Sequence, residues 1–358
     1  MKIVIDARFT RTDHHDGISR YGASLIAAVA KIADVSMLIS DPRQLALLPD
    51  VPHTLISSPL SPAELFVARK VNRLNADVVV CPMQTMGTWG RKYGLVLTLH
   101  DLIYYEHPAP PGFLPAPVRI LWRLYHKAYW PQRLLLNRAD VVATISRTTE
   151  ALMAKYRLTS RPVRIVSNAP QPAQQPRDPD TLPEKTLLYM GSFMPYKNVE
   201  TMLAGMAELP DYTLHLLSRI TPQRRAELEA LIPAGASVVF HNGVTDDEYA
   251  ELLRRTTALV SLSKAEGYGL PLVEAMALGT PVIASDTPIF REVGADAAKY
   301  VDPESPAAFA AAVQELGDAP QWRDVSRNSV ARAGQFSWDE SARQLVAVAA
   351  EVLALRNK

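Results

Sequence analysis

Three things are scarce in this chain, and each scarcity closes off a class of protein. Of its 358 residues only one is a cysteine, Cys81, so there is no intramolecular disulfide framework, and with no Cys/His cluster at metal spacing a structural zinc site is not expected. Charge of one sign is also lacking. With 38 Lys+Arg against 37 Asp+Glu the formal net charge is +1, which gives no general attraction to nucleic acid, and no nucleic-acid partner is expected. Long apolar runs are missing too: all fall well short of the roughly 18 residues that span a bilayer. The start, MKIVIDARFT, has no apolar stretch behind a basic segment. Neither export by a standard signal nor a membrane span is expected, and a reducing, cytoplasmic location fits the single cysteine.

What is present is an ordinary globular composition, 48% hydrophobic and 21% charged, in a chain too long for one core and long enough for two domains of roughly 150 to 200 residues. Short β-branched runs alternate with helical patterns. KIVIDA, VSMLIS, HTLIS, DVVVCP, LVLTLHD, DVVATIS and VRIVSN read as buried strands in the first half, and KTLLYMGS, YTLHLLS, SVVFHNG, ALVSLS and PVIASD in the second. Such runs suit parallel sheets covered on both faces. Between the halves lies APQPAQQPRDPDTLP, residues 169–183, rich in proline and reading as a linker. The chain therefore divides into an N-terminal domain (1–168), the linker (169–183), a C-terminal domain (184–335) and a last segment (336–358), which reads as a helix with Ser337 as N-cap and Glu340 at capping-box spacing. The fold class is α/β, two doubly wound Rossmann-like domains in tandem, whose strand-end loops would line a cleft where ligands settle.

One strand-end run stands out. SKAEGYGLPLVEAMALGTPVIASD places Glu266 and Glu274 eight positions apart around a glycine-rich turn. Pro271 suits the first turn of a helix that ends at Gly279. Gly267 and Gly269 then sit in the loop entering that helix, where exposed backbone N–H groups and the positive end of the helix dipole suit phosphate oxygens. A carboxylate at each end accepts hydrogen bonds from hydroxyls, so the run fits a ligand with hydroxylated groups on both sides of a diphosphate.

From Ser263 to Asp286 the run resembles the E-x7-E signature of retaining GT-B glycosyltransferases of family 4. The resemblance continues in DGISRYGASL, LHDLIYYEHP, DVVATIS, YMGSFMPYKNVETML and SDTPIFREVGADAAKYVDP, in order along nearly the whole chain. It implies a GT-B fold facing a central cleft, with a last helix crossing back to the N-terminal domain. It further implies that Glu274 hydrogen-bonds the donor ribose, that Glu266 contacts hydroxyls of the transferred sugar, and that amides around Gly267, Tyr268, Gly269 and Leu270 hold the diphosphate. Lys197 matches the lysine that neutralises it, and Asn198 the asparagine that starts the next helix. Gly191 matches the motif glycine, but Ser192 follows where the family commonly has arginine.

In the first half, Gly17 matches the glycine that lets backbone approach the β-phosphate, and Arg20 follows it. His100 matches a histidine facing the donor sugar, with Asp101 expected to orient it. His14 and His15 read first as mobile surface residues, with a place bordering the acceptor side as the alternative that puts His14 among the acceptor-side candidates with Arg20 and Asp101. The catalytic set implied is His100, Lys197 and Glu266. No cofactor or metal is implied, since nothing resembles a D-x-D motif; the donor is a nucleotide sugar, GDP-mannose first and UDP- or dTDP-sugars behind it. Transfer would proceed by front-face substitution onto a glycan or lipid-linked glycan, as in bacterial mannosyltransferases of surface-polysaccharide assembly. The alternatives are a catalytically silent GT-B binding protein and a GT-B sugar-nucleotide epimerase. Finally, PAPVRILWRLYHKAYWPQRLLLNRAD interleaves Arg119, Arg123, Lys127, Arg133 and Arg138 with Trp122, Tyr125, Tyr129 and Trp130, a pattern suited either to an anionic membrane surface or to a packing helix with a solvated cationic edge.

Overall fold

The alternating runs become two all-parallel sheets in a computed structural model that describes residues 1–110, 116–171 and 175–357. The first sheet has β1 (Lys2–Asp6), β2 (Asp34–Ile39), β3 (His53–Leu55), β4 (Val78–Cys81), β5 (Gly94–Leu99), β6 (Val141–Thr144) and β7 (Val163–Ile165), in the order β3-β2-β1-β4-β5-β6-β7. The second has β8 (Glu184–Tyr189), β9 (Thr213–Leu216), β10 (Ser237–Phe240), β11 (Thr256–Ser261), β12 (Val282–Ser285) and β13 (Ala298–Val301), in the order β10-β9-β8-β11-β12-β13. Central strands β4, β5, β6, β11 and β12 are buried at every residue, which is why they read as unbroken apolar runs. Edge strand β13, with its half-polar AKYV, gives no such signal.

The chain forms two compact units, one from residues 1–169 and 337–358, the other from 170–336. The last helix, Trp338–Arg356, belongs to the first unit. Gly94 opens β5 against it: a Cβ there would lie 2.3 Å from Cγ1 of Val352, so only glycine admits this approach. Polar ties fasten its length, from Lys31 to Asp339 (2.8 Å), Ser341 to the Ser167 carbonyl (2.7 Å) and Arg164 to Glu351 (2.7 Å). Ser337 caps it, accepting from the Asp339 amide. Glu340, however, forms no capping box and pairs instead with Arg343 one turn on, at 2.7 Å: the i,i+3 partner competes for the same carboxylate.

The proline-rich stretch is more than a tether. Residues 172–174 of it lie outside the described residues, but Arg177 is buried in the second unit, 8% exposed. Its amide donates to the Leu278 carbonyl, its Nη1 to Thr256 (2.8 Å), and its guanidinium lies 4.4 Å from the Trp322 ring centroid. Burial brings its pKa down to about 10, yet it stays charged at neutral pH, so carbonyls and a ring face must hold a desolvated cation. Arg177→Ala should therefore lower the stability of this unit by about 2–3 kcal/mol, the joint value of a charged hydrogen bond and a desolvated cation–π contact. Urea unfolding followed at Trp322 checks this.

Candidate active site

In the second sheet the strand order reverses between β8 and β11. Crossovers leaving these neighbours run to opposite sides, so the loops at their carboxyl ends are left side by side in a crevice. Those two loops carry the candidates. After β8 come Gly191, Ser192 and a short 3-10 turn, Pro195–Lys197; after β11 come Glu266, Gly267, Tyr268 and Gly269, leading into the helix Leu270–Ala277. Across the gap the Lys197 ammonium forms an ion pair with the Glu266 carboxylate, both side chains about one-seventh exposed (14% and 15%). Two further bonds sew the loops together: the Lys264 amide donates to the Tyr196 carbonyl (2.8 Å), and Asn198 Nδ2 donates to the Leu262 carbonyl (3.1 Å).

Asn198 stands at the start of the helix Val199–Gly205, as its motif implied, but not by capping it. Its backbone is left-handed (φ 56°), and its side chain spans to Leu262, to Pro303 (2.6 Å) and to the Thr201 hydroxyl. Gly191 is held by its amide on the Ser218 hydroxyl (3.0 Å), and a Cβ there would lie 2.7 Å from the Tyr189 hydroxyl, which donates to the Ser192 carbonyl at 2.6 Å. Ser192 itself is exposed and brings no cation.

Gly269 is the N-cap of its helix at φ 95°, with Pro271 in the first turn and Gly279 (φ 77°) just past the C-cap Leu278. A Cβ on Gly269 would also meet the Phe290 ring at 2.9 Å. Left-handed backbone and that contact both demand glycine, and the turn they permit leaves the amides entering the helix unspent on capping side chains. Glu274 lies about one turn in, half-buried.

The first sheet reverses between β1 and β4. Beyond β1, His14 pairs with Asp13 (3.0 Å) on the exposed loop, His15 Nδ1 meets the Ser19 hydroxyl (2.8 Å), and Gly17 opens the helix Gly17–Val29, capped by Asp16. A Cβ at Gly17 would meet no described protein atom within 4 Å, so packing at that position does not itself require glycine. Arg20 follows in the first turn, half-buried. His100, just past β5, is oriented by two groups: its Nε2 donates to the Pro82 carbonyl at 2.7 Å, and the Tyr21 ring stands edge-on at 5.1 Å. Asp101 gives a carboxylate oxygen to the Ile103 amide (3.0 Å). Burial lowers the His100 pKa against the opposing Pro82 bond and the Asp16 charge; the ring is neutral at pH 7 and Nδ1 is its acceptor.

Sequence reading missed the group that braces this corner. Arg8 is clamped between the buried Asp6 (2.8 Å) and the partly buried Glu64 (2.6 Å), and Glu64 also accepts from the Gly87 amide at 2.9 Å. The pair lies 56 residues apart in sequence, so only the fold reveals it. Beside His100 and Asp101, wholly within this unit, opens a cavity of about 860 Å³ walled by aromatic and aliphatic side chains of 83–105 and of the helices Ala116–Tyr125 and Trp130–Leu136.

Residues 172–333 match the family model described as Glycosyl transferases group 1, and residues 23–172 match that described as Glycosyltransferase Family 4. The chain belongs to the GT-B glycosyltransferases. This glycosyltransferase is 24% identical over 339 residues to the O-antigen chain mannosyltransferase RfbU of Salmonella typhimurium, covering 88% of this chain and 91% of that one. Its fold matches sucrose-phosphate synthase of Thermosynechococcus elongatus (TM-score 0.76, 21% identity, 99% of each chain) and Anabaena HepE in complex with UDP-glucose (TM-score 0.72, 16% identity, 98% of this chain and 100% of that one).

Two outcomes follow for the glycosyltransferase. Gly269→Ala should cost about 1–3 kcal/mol from the left-handed backbone alone and more from the Phe290 contact, measured by thermal unfolding. Because the folded His100 resists protonation, the unfolded state binds more protons, and stability falls as pH drops below the ordinary histidine value. His100→Gln, which keeps a donor for Pro82, should flatten that part of the pH–stability curve.

Proposed function

We propose that this glycosyltransferase moves a mannosyl group from GDP-mannose, with retention, onto a glycan or lipid-linked glycan. The observation that carries the donor half is the Lys197–Glu266 pair at the β8/β11 reversal, beside the Gly269 turn. Without ligand each group satisfies the other. A nucleotide sugar would replace both halves of the pair, its diphosphate taking Lys197 and the amides at the helix start, a sugar hydroxyl taking Glu266 and a ribose hydroxyl Glu274. Such exchange leaves neither charge buried alone, which is the costly case.

On this reading the bond from the anomeric carbon to the leaving phosphate oxygen breaks as the acceptor oxygen bonds to that carbon on the same face, and the acceptor proton passes to the departing phosphate. The chain's contribution is electrostatic and positional: Lys197 and the loop amides stabilise negative charge growing on the leaving group. No second cation stands at Ser192, so Lys197 carries more of that task than it would beside an arginine. His100, through Nδ1, accepts from a sugar hydroxyl, and Gly17, with open space where a side chain would be, leaves room for substrate beside Arg20 and His14.

Mannose is preferred because the likeness to RfbU runs along nearly the full length of both chains; UDP-glucose is the competing donor, since the HepE structure holds it. A peripheral seat on an anionic membrane belongs to the same proposal. It is supported by Ile120, Leu124 and Trp130, 60%, 56% and 61% exposed, alongside the exposed Arg119, Arg123 and Lys127. Among the described residues no helix is long and apolar enough to cross a bilayer.

Calorimetric titration with GDP, UDP, ADP and dTDP tests the donor. GDP should bind selectively, and Lys197→Ala should abolish that binding; preference for UDP would replace mannose from GDP-mannose with a UDP-sugar, and binding of no nucleotide would favour a silent member of the fold. With GDP-mannose as donor, Lys197→Ala and Glu274→Ala should each reduce transfer by about 10²-fold or more, the scale on which removing one charge-stabilising donor acts, with circular dichroism unchanged.

A further inference from the structure

The cavity beside His100 is lined wholly by residues of the first unit, whereas the loops of the Lys197–Glu266 pair belong to the second. Its volume, about 860 Å³, lies in the range of roughly 300–1,000 Å³ that takes ligands, and its walls are predominantly apolar: Leu99, Leu121, Leu135, Tyr104 and Trp130 among them. Among its polar lining residues, two side chains on the helical wall, Gln132 and Trp122, each have a buried polar atom without a partner among the described residues. Gln132 is 1% exposed; the Tyr125 hydroxyl donates to its Oε1 at 2.7 Å, and its Nε2 finds no acceptor among the described residues. The Trp122 indole N–H, also buried, finds none either. Buried donors left unpaired cost about 1–3 kcal/mol each, so their presence in a roomy apolar site points to an occupant that brings oxygen atoms within an otherwise hydrocarbon body. The same helical stretch carries Arg119, Arg123 and Lys127 exposed, which favours an anionic head. His100 and Asp101 line the cavity as well, so one of its walls is shared with residues assigned to the sugar site.

We propose that this cavity receives the hydrocarbon chain of a lipid phosphate acceptor, an oxygen near the head of the chain accepting from Trp122 and Gln132 and the phosphate charge met by Arg119, Arg123 and Lys127. The inference rests on the reading that the acceptor is lipid-linked, and it specifies where the lipid goes.

Decyl phosphate, titrated calorimetrically into the full chain below its micellar concentration with inorganic phosphate as control, tests it. Saturable one-to-one uptake of decyl phosphate and none of inorganic phosphate is expected. Leu135→Trp, which fills the cavity, should weaken uptake about tenfold or more, the loss of roughly two buried methylenes. Val118→Trp does the same from a position 41% exposed, where bulk does not threaten folding. Leu134→Trp, one residue along but exposed and outside the lining, should leave affinity unchanged. Absence of saturable uptake by the wild type, unchanged affinity in both filling variants, or equal binding of inorganic phosphate overturns the proposal. GDP titrated into the same samples separates the two readings: intact GDP binding without decyl phosphate uptake sinks the cavity alone, whereas decyl phosphate uptake without nucleotide binding sinks the donor assignment alone.

Discussion

The reversal of strand order in a parallel sheet is the constraint on which the rest of this molecule depends. Right-handed crossovers can cover both faces of a sheet only if the chain starts near its middle and works outward in both directions. Somewhere two neighbouring strands must then send their exits apart, and the loops that leave them face each other with nothing between. At β8 and β11 this chain fills that gap with one ion pair, one amide bond and the side chain of Asn198. At β1 and β4 it uses the buried Asp6–Arg8–Glu64 cluster for the same purpose. The two solutions differ in what they leave available. Arg8 is saturated by two carboxylates and the Ser57 carbonyl, so the first brace is structural. Lys197 and Glu266 have one partner each in that link, at a loop whose glycine turn leaves backbone amides uncapped by side chains, and the proposed donor site uses that difference.

Much of this was legible in the sequence because it is local. A strand buried on both faces writes itself as an apolar run; a helix that begins with Pro271 and ends before Gly279 writes its own limits; and the E-x7-E spacing is contained within one loop and one helix. Other features were illegible because their partners are distant or because a competitor wins. The Arg8 cluster joins residues far apart in the chain. Arg177 looks like one more polar residue of a proline-rich stretch until Trp322 and Thr256 are brought beneath it. Edge strand β13 borrows its hydrogen bonds from β12 and needs no apolar signature of its own. Glu340 had the right spacing for a capping box, yet an arginine three residues on offered a stronger partner. The aromatic and basic stretch read equally as a membrane-facing or a packing helix, and the cavity behind it depends on how its neighbours pack, which composition does not record.

The return of the last helix has a consequence for how the molecule is made. The second unit is complete once residue 336 has been synthesised, but the first unit waits for 338–356. Until those residues leave the ribosome, the face of β5 at Gly94 and the helix Gly17–Val29 have no cover, and Tyr21 lacks the Trp338 ring that later lies 5.9 Å away. The domain that begins first therefore finishes last, during translation the second unit folds while the first still exposes apolar surface, and a chain stopped a few turns short would carry an intact second unit on a first unit that cannot close its core.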